Sequence, residues 1–319
     1  MRSETLIAVV VVTHNSESTI SRCLKELRKE SSPYHITVVD NASIDQTCDV
    51  VVTEGLADRL IKNQDNRGYG VAVNQALREL SCNNEASAVV LLDPDCFVTP
   101  ATLEKLNWYL EFDPNIGAVS PVLVNTSGER QVTAHQFRTY RTELRRIFHE
   151  QPSGVLRTST HKSVRLTDWV VGSCLMIRRT ALSDVEGAAE QYFVYVEDID
   201  ICYRLALKGW QVVIDTETVA MHIGGHSLSS TGFARFAPIV KLINELLFYE
   251  TFYSRLKCST IALLRLLRVI RAKGLFSQRA AVLALASIGV PSRAIGTAIL
   301  ARQPESVRKV LKEKWPAPL

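Results

Sequence analysis

Short apolar runs that end abruptly in polar residues recur through the first 120 positions. Leu6 to Val12 is continuous and rich in valine, the pattern of a strand buried on both faces of a parallel sheet, and it stops at Thr13-His14-Asn15. The stretch after it has helical spacing, with Ile20, Leu24 and Leu27 on one face. Ile36 to Val39 is the next strand and stops at Asp40-Asn41. Ser43 and Gln46 have capping-box spacing for a helix running to about Ala57. Leu60-Ile61 reads as a short strand and Asn66-Arg67-Gly68-Tyr69-Gly70 as a loop. Val73, Ala76, Leu77 and Leu80 mark the buried face of the helix that follows. Ala88 to Leu92 is another buried strand, ending at Asp93-Pro94-Asp95. Thr99 caps a helix that has Pro100 at its first position, and Gly117 to Ser120 closes the series.

This alternation predicts a doubly wound α/β sheet, in which a ligand sits beyond the carboxyl ends of the strands. Thr13 to Asn15, Asp40-Asn41 and Asp93 to Asp95 all fall at such ends and point to one shared site. Residues 122 to 165 are polar and weakly periodic, an excursion over the acceptor side or a mobile loop. Apolar structure returns from Asp168 to Arg178. Tyr192 to Val196 reads as a strand ending in Glu197-Asp198-Ile199-Asp200. A helix then runs to Lys208, with Gly209 as its stop. Trp210 to Ile214 and Val219 to Met221 are two further strands, and His222-Ile223-Gly224-Gly225-His226-Ser227 ends the domain.

Composition narrows the class. Apolar residues make up 46% and charged residues 22% of 319 positions, enough for a sizeable core. The seven cysteines are scattered and form no Cys-x-x-Cys pair, which argues against a disulfide framework or zinc knuckle and suits a reducing compartment. No secretory signal is legible at the N-terminus, and no apolar run reaches the roughly 18 residues of a membrane span. The net charge of +4 conceals an asymmetry: residues 233–319 hold 15 Lys/Arg against 4 Asp/Glu, leaving 22 against 29 for residues 1–232. An acidic body thus carries a basic tail. Within that tail, Leu263, Leu264, Leu266 and Leu267 lie among Arg255, Lys257, Arg265 and Arg268. That pattern suits a helix on an anionic membrane surface; a helical bundle or a homodimer contact is the alternative. No basic motif interleaved with aromatic residues supports nucleic-acid binding.

Candidate chemistry lies at the strand ends. Asp93 and Asp95, two residues apart, can reach one hard cation such as Mg²⁺ or Mn²⁺ together with its diphosphate; they could equally form a polar turn. Asp40 can accept a hydrogen bond from a ribose hydroxyl or a base imide, or close an Asx turn. The glycines of Asn66 to Gly70 let the backbone approach a phosphate at a helix N-terminus, although the third glycine of the dinucleotide fingerprint is absent. Glu197, Asp198 and Asp200 crowd three carboxylates, which can raise one of them into the range of a base; an acidic first helical turn is favoured by the helix dipole in any case. His222 can complete a metal's shell or serve structure alone.

Together these residues resemble the family 2 glycosyltransferases of GT-A fold, in particular the rhamnosyltransferase-like branch. The features carrying the resemblance run in order: Val9 to Asn15, Val38 to Ser43, Asn66 to Gly70 with Asn74, and Leu92 to Asp95. Gly172-Ser173 with Leu175 to Arg178, Tyr195 to Asp200 with Arg204, and His222 with Gly224-Gly225 and Ser227 complete the series. They span about residues 5 to 230. The resemblance implies a GT-A catalytic domain over 1–230, with a nucleotide-sugar half to about 120 and an acceptor half beyond it, followed by a basic helical region over 231–319. It implies an inverting transfer from a nucleotide-diphosphate sugar. Thr13, Asn15, Asp40 and Asn41 would hold the nucleoside, and Asn66 with Gly68 would line the diphosphate. Asp93 and Asp95 would be the D-x-D acids, with Asp95 nearest a divalent Mg²⁺ or Mn²⁺ and His222 close by. Asp198 would be the base, oriented by Glu197.

Two departures matter. The family's Gly-Phe-Asp-Glu stretch before the Glu-Asp motif is replaced here by Val185-Glu186-Gly187-Ala188-Ala189-Glu190. The Gln-x-x-Arg-Trp motif of processive members is absent, which implies transfer of one sugar at a time. The branch favours rhamnose as donor sugar and a glycan or polyprenyl-linked sugar as acceptor in cell-envelope synthesis, at the cytoplasmic face of the membrane. The alternatives are a catalytically inactive sugar-nucleotide-binding or scaffold subunit, and a nucleotidyltransferase. The latter would need a glycine-rich basic signature where this chain has Thr13-His14-Asn15.

Overall fold

The structure, a computed structural model, describes residues 6–29, 34–83, 86–148, 157–159, 162–224, 237–273 and 278–301. Gly225, His226 and Ser227 lie outside the described residues. The chain divides into two compact units. One comprises Met1–Gln136, Ser153–Glu190 and Glu197–Ser229; the other comprises Phe137–Pro152, Gln191–Val196 and Ser230–Leu319.

The first unit is built on a mixed sheet of ten strands. Strands β1 (Ile7–Thr13), β2 (Tyr34–Asp40), β3 (Arg59–Lys62) and β4 (Ala88–Leu92) pair in parallel. Helices α1 (Glu17–Leu27), α2 (Thr47–Glu54) and α3 (Tyr69–Asn83) connect them. All seven residues of β1 and all five of β4 are buried. Val9, Val11, Val90 and Leu92 join a core with Ile20 and Leu24 of α1. Ala8, Val10, Val89 and Leu91 are buried on the opposite face, the side on which α3 packs against β1 and β2. A strand covered on both faces has no polar side to show, so its sequence does not alternate.

Beyond β4 come β5 (Cys96–Phe97), α4 (Pro100–Phe112) and β6 (Ile116–Val124). Thr99 caps α4 as expected, its Oγ1 accepting the Thr102 N–H at 3.3 Å, with Pro100 in the first turn. Short strands β7 (Ala134–His135), β8 (Arg157–Thr158), β9 (Val164–Thr167) and β10 (Trp169–Val170) follow, then β11 (Cys174–Arg178). β11 is antiparallel to both β4 and β6 and joins the two halves of the sheet. Helices α6 (Arg179–Asp184) and α7 (Glu197–Leu207) lead to β12 (Gln211–His222), which is parallel to β6 and antiparallel to β9. β7 and β10 form a separate two-stranded sheet.

Four sequence expectations change. The two strands expected over Trp210–Met221 are one, β12, interrupted between Asp215 and Val219. The buried Asp215 carboxylate holds that interruption by accepting from Thr218 Oγ1 at 2.7 Å and from the Glu217 N–H at 3.1 Å. The strand expected over Tyr192–Val196 does not form, because Tyr195 (φ 69°) and Val196 (φ 79°) take left-handed backbone conformations that break a pleat. The helix predicted from Ser43 starts at Thr47, and Ser43 bonds elsewhere. The excursion at 122–165 contains ordered elements in both units, including helix α5 (Tyr140–Phe148).

The second unit is helical: α5 with α8 (Ala237–Phe252), α9 (Arg255–Lys273), α10 (Gln278–Ser287) and α11 (Ser292–Ala301). α5 was illegible as a helix because part of what holds it is ionic. Its buried Glu143 lies 3.8 Å from Arg138 and 3.7 Å from Arg268 of α9. Nearby, Glu245 of α8 pairs with Arg265 of α9 and lies 4.0 Å from Arg138. Burial alone would raise the Glu245 carboxyl, but the charges of Arg265 and Arg138 outweigh it and hold the pKa at about 2. A depressed carboxylate pKa contributes stability above the unfolded value near 4.5, and that stability is lost as pH falls toward 2. Acid unfolding followed by far-UV circular dichroism is therefore expected to fall in that window. Glu245→Gln should remove part of the pH dependence and, by leaving Arg265 unpaired, cost about 3–5 kcal/mol at neutral pH. An acid transition identical to that of the unaltered chain would contradict this assignment.

Candidate functional site

The parallel register places Thr13, at the end of β1, beside Asp40, at the end of β2. Thr13 Oγ1 donates to Asp40 Oδ1 at 2.8 Å. Ser43 donates twice to the same carboxylate, through its N–H to Oδ2 at 2.9 Å and its Oγ to Oδ1 at 2.5 Å. This is where the hydroxyl expected to cap a helix goes. Asn15, left-handed at φ 53°, donates its N–H to Ser43 Oγ at 2.8 Å and accepts the Ile44 N–H on its Oδ1 at 2.9 Å. Thr13 and Asp40 are thus buried and joined to each other, and they shape the corner while Asn15 and the loop after Asp40 form its rim. Burial and the neighbouring Asp40 push the Cys48 thiol up to about 11.

Asn41 links this corner to the glycine loop. Its Nδ2 donates to Gly68 O at 3.1 Å and its Oδ1 accepts from Asn63 at 2.9 Å. Asn66 Oδ1 accepts the Gly68 N–H at 3.1 Å, and Gly68 itself is left-handed at φ 86°, a conformation that favours glycine. The Gly68 carbonyl then opens α3 by accepting the Ala72 N–H. Gly70 has a steric reason: a Cβ there would lie 2.3 Å from the Ala189 carbonyl oxygen. Asn74, one turn further on, donates to Ala188 O and Glu190 Oε1 and accepts the Ala188 N–H, all at 2.9 Å. The segment that replaces the expected Gly-Phe-Asp-Glu stretch is therefore bonded directly to the helix of the glycine loop.

Asp93 and Asp95 leave the end of β4. The chain turns tightly, with Cys96 N–H donating to Asp93 O at 3.0 Å, and β5 pairs antiparallel with the end of β12, setting His222 opposite Cys96. Ile223 N–H donates to Asp95 O at 3.1 Å. Two residues that are 127 positions apart in sequence are thereby adjacent: His222 Nε2 lies 3.5 Å from Asp95 Oδ1. Ligand atoms of Asp93, Asp95 and His222 all lie within 4.8 Å of one another. Burial and the Asp95 charge push the Asp93 carboxyl up to about 6, against the opposing effects of a Ser173 hydrogen bond and His222. Burial works against the His222 imidazolium, but hydrogen bonding and charge from Asp95, with Asp93 behind, raise its pKa.

Glu197 and Asp198 open α7, where the helix dipole favours acids. Asp198 Oδ2 accepts the Gly172 N–H at 3.3 Å and Oδ1 accepts the Ile199 N–H at 2.8 Å. Asp198 also contributes to the raised pKa of Asp93, which places it in the field of the cluster. Asp200 turns away: it is buried and paired at 2.5 Å with Arg204, which also donates to the Val185 carbonyl. Tyr69, which the sequence offered only as part of a loop, belongs with the acids. Burial first, then the charges of Asp93, Glu197 and Asp198, push its phenol pKa well up. Ser173 Oγ lies 3.2 Å from His222 Nε2, and Gln131 contacts the other side of the ring. Nothing in the sequence pattern marked Gln131.

The sequence model of the family described as "Glycosyl transferase family 2" matches residues 8–185, more than half of the chain. Over 237 residues the chain is 28% identical to the N-acetylglucosaminyl-diphospho-decaprenol L-rhamnosyltransferase of Mycobacterium tuberculosis, covering 70% of this chain and 77% of that protein. Over 229 residues it is 23% identical to the rhamnosyltransferase WbbL of Escherichia coli, covering 69% and 84%. Among solved structures, the mannosyltransferase PcManGT from Pyrobaculum calidifontis, in complex with GDP-Man and Mn²⁺, gives a TM-score of 0.51 at 19% identity, covering 98% of this chain and 85% of that one. TarS 1-349 of S. aureus, in complex with UDP-GlcNAc, gives 0.52 at 17% identity, covering 98% and 88%. These structures share the α/β fold of this chain, which is of GT-A type.

Gly70→Ala tests the fit between the glycine loop and the segment at 188–190. Its Cβ meets backbone, which cannot swing aside, so overpacking of about 1–3 kcal/mol is expected, read as a fall of several degrees in the melting temperature. A melting temperature within a degree of the unaltered chain would show that the two segments do not pack as described.

Proposed function

The chain belongs to glycosyl transferase family 2, and we propose that it transfers single L-rhamnosyl units, with inversion, from dTDP-rhamnose to a polyprenyl-diphosphate-linked sugar. One observation carries the reading: the convergence of Asp93, Asp95 and His222 beside the Gly172–Ser173 turn that contacts Asp198, at the same end of the sheet as Thr13 of β1 and Asp40 of β2. The choice of rhamnose and of a lipid-linked acceptor is supported by the rhamnosyltransferases to which the chain is similar.

The donor half has the means to hold a nucleoside diphosphate. Asn15, Asn41 and the loop braced by Thr13, Asp40 and Ser43 form the nucleoside corner. Asn66 and Gly68 stand before the first turn of α3, whose N–H groups and dipole favour phosphate. Asp93, Asp95 and His222 suit a divalent cation. Two carboxylates suit a hard cation such as Mg²⁺ or Mn²⁺, and an imidazole beside them favours Mn²⁺ of the two; burial and then the Asp95 charge lift Asp93 to about 6, and a cation would relieve the repulsive part. Such an ion, when bound, supplies Lewis-acid stabilisation of charge on the leaving diphosphate.

Asp198 is the base in this reading. Its carboxylate takes the proton of the acceptor hydroxyl as that oxygen bonds to the anomeric carbon. The bond from that carbon to the diphosphate oxygen breaks on the opposite side, and the configuration inverts. Glu197 stands beside Asp198 at the start of α7, and the Gly172 N–H fixes the carboxylate's orientation. Gly172 is also closely packed, since a Cβ there would lie 3.3 Å from Asp198 Cβ.

A lipid-linked acceptor calls for access to a membrane surface. Among the described residues no helix is long and apolar enough to cross a membrane. Helix α9 instead exposes Leu256, Leu263 and Leu267 at helical spacing, with the exposed cations Arg255 and Lys257 at its start. That combination favours adsorption to anionic lipid.

Two measurements test the proposal. Asp198→Asn should lower transfer by about 10²–10⁴-fold while binding of dTDP-rhamnose is retained; full transfer activity in that variant would eliminate Asp198 as base. In flotation, the chain should rise with vesicles containing phosphatidylglycerol and stay behind with vesicles of phosphatidylcholine alone, and Leu263→Glu should reduce the floated fraction. Absence from both vesicle fractions would remove the membrane from the account.

A further inference from the structure

Gln131 owes its position to a turn. The chain leaves β6 at Val124 and reverses over Asn125 to Gly128. Asn125 Oδ1 accepts the N–H groups of Ser127 and Glu129, both at 2.9 Å, and Gly128 takes the left-handed conformation the reversal needs (φ 79°). The returning strand bridges Arg130 to Val124, and Gln131 N–H donates to Leu123 O at 2.8 Å. The Gln131 backbone is therefore fixed against β6, whose neighbour β12 pairs Met221 with Val124 and ends at His222.

From there the side-chain amide spans His222 with two hydrogen bonds. Nε2 donates to the His222 carbonyl at 3.0 Å, and Oε1 lies 3.0 Å from His222 Nδ1. A backbone carbonyl can only accept, so the amide nitrogen must face it and Oε1 must face the ring. An acceptor opposite Nδ1 requires the proton on Nδ1. The remaining ring nitrogen, Nε2, is the one that faces Asp95 Oδ1 at 3.5 Å and Ser173 Oγ at 3.2 Å. Metal-binding histidines characteristically have their second ring nitrogen fixed by such a partner, which sets both tautomer and ring orientation.

We propose that Gln131 is a positioning residue that holds His222 in its Nδ1–H tautomer and aims Nε2 at the Asp93–Asp95 cluster as a ligand for a divalent cation. The inference rests on the reading of Asp93, Asp95 and His222 as a cation site. It assigns a role to a residue in the excursion after β6 that has no chemistry of its own.

The test is Mn²⁺ binding to the full chain, followed by the electron paramagnetic resonance signal of free Mn²⁺, with no nucleotide present. Gln131→Leu should weaken binding about 10–100-fold. Gln131→Glu keeps an oxygen opposite Nδ1 but sets a second one against the His222 carbonyl, so its affinity should fall between those of the unaltered chain and the leucine variant. In a His222→Ala background, Gln131→Leu should have no further effect, since the two residues act through one ring. Unchanged affinity in Gln131→Leu would overturn the inference, as would an equal loss with and without His222. If the unaltered chain shows no saturable Mn²⁺ binding, the cation reading itself falls and the role of Gln131 with it. If Asp95→Ala abolishes binding while Gln131→Leu leaves it untouched, only the positioning role is lost. Far-UV circular dichroism of each variant separates these outcomes from misfolding, and Gln131→Glu provides a reading should the leucine variant not fold.

Discussion

A two-residue strand, Cys96–Phe97, pairs with the last two residues of β12, and the carbonyl of Asp95 accepts the Ile223 N–H just beyond them. The arrangement of the acidic cluster follows from this pairing. Without it the end of β4 would still offer two carboxylates, but His222 would have no fixed place beside them. The pairing depends in turn on the order of the sheet. β12 runs parallel to β6, β6 is joined to β4 through antiparallel β11, and the carboxyl ends of β4 and β12 thereby lie at the same end of the sheet. A hydrogen-bonded ladder sets positions far more tightly than a loop does, and a site placed on ladders is pre-organised before any ligand arrives.

That concentration of charge costs stability, and the surrounding groups divide the cost. Asp93 rises to about 6 under burial and the repulsion of Asp95, while the Ser173 hydrogen bond and His222 work the other way. The corner at the ends of β1 and β2 solves the opposite problem. There the Asp40 carboxylate accepts three hydrogen bonds from Thr13 and Ser43, which hold it in place. Four of the five non-glycine residues with positive φ among the described residues lie in these parts of the chain: Asn15 and Ala42 in that corner, and Tyr195 and Val196 directly before Glu197; Glu186 is the fifth. For a β-branched residue such as Val196 a positive φ is costly, and conformations of this kind persist where the surroundings fix them, commonly near functional groups.

The sequence was most informative where one physical rule acted alone. Continuous apolar runs marked β1, β2 and β4 because burial on both faces leaves no alternation. The polar residues terminating them marked the strand ends, and the acids at 93 and 95 followed directly. It was least informative where two rules competed. Ser43 had the spacing of a helix cap, but its hydroxyl bonds Asp40, and α2 starts four residues later. Tyr192 to Val196 had the composition of a strand, and left-handed backbone at its end broke it. Long-range placement left no local trace. Gln131 lies in no patterned segment, and although Tyr69 and Asn74 belong to segments that carry the resemblance, nothing local announced the partners they meet. Helix α5 was hidden because charges that ordinarily signal solvent, Glu143 above all, are buried and paired.

In the proposed function the strand-end corner, the glycine loop and the Asp93–Asp95–His222 cluster act as one donor site. Thermal unfolding with nucleotide sugars, with and without Mn²⁺, tests it most directly, because a ligand bound only to the native state adds about 2.7 kcal/mol at 100 times its dissociation constant. With dTDP-rhamnose and Mn²⁺ together the melting temperature should rise by more than the sum of their separate effects, and Asp95→Ala should lose that excess. A melting temperature unmoved by dTDP-, UDP- and GDP-sugars, each with Mg²⁺ or Mn²⁺, would contradict it.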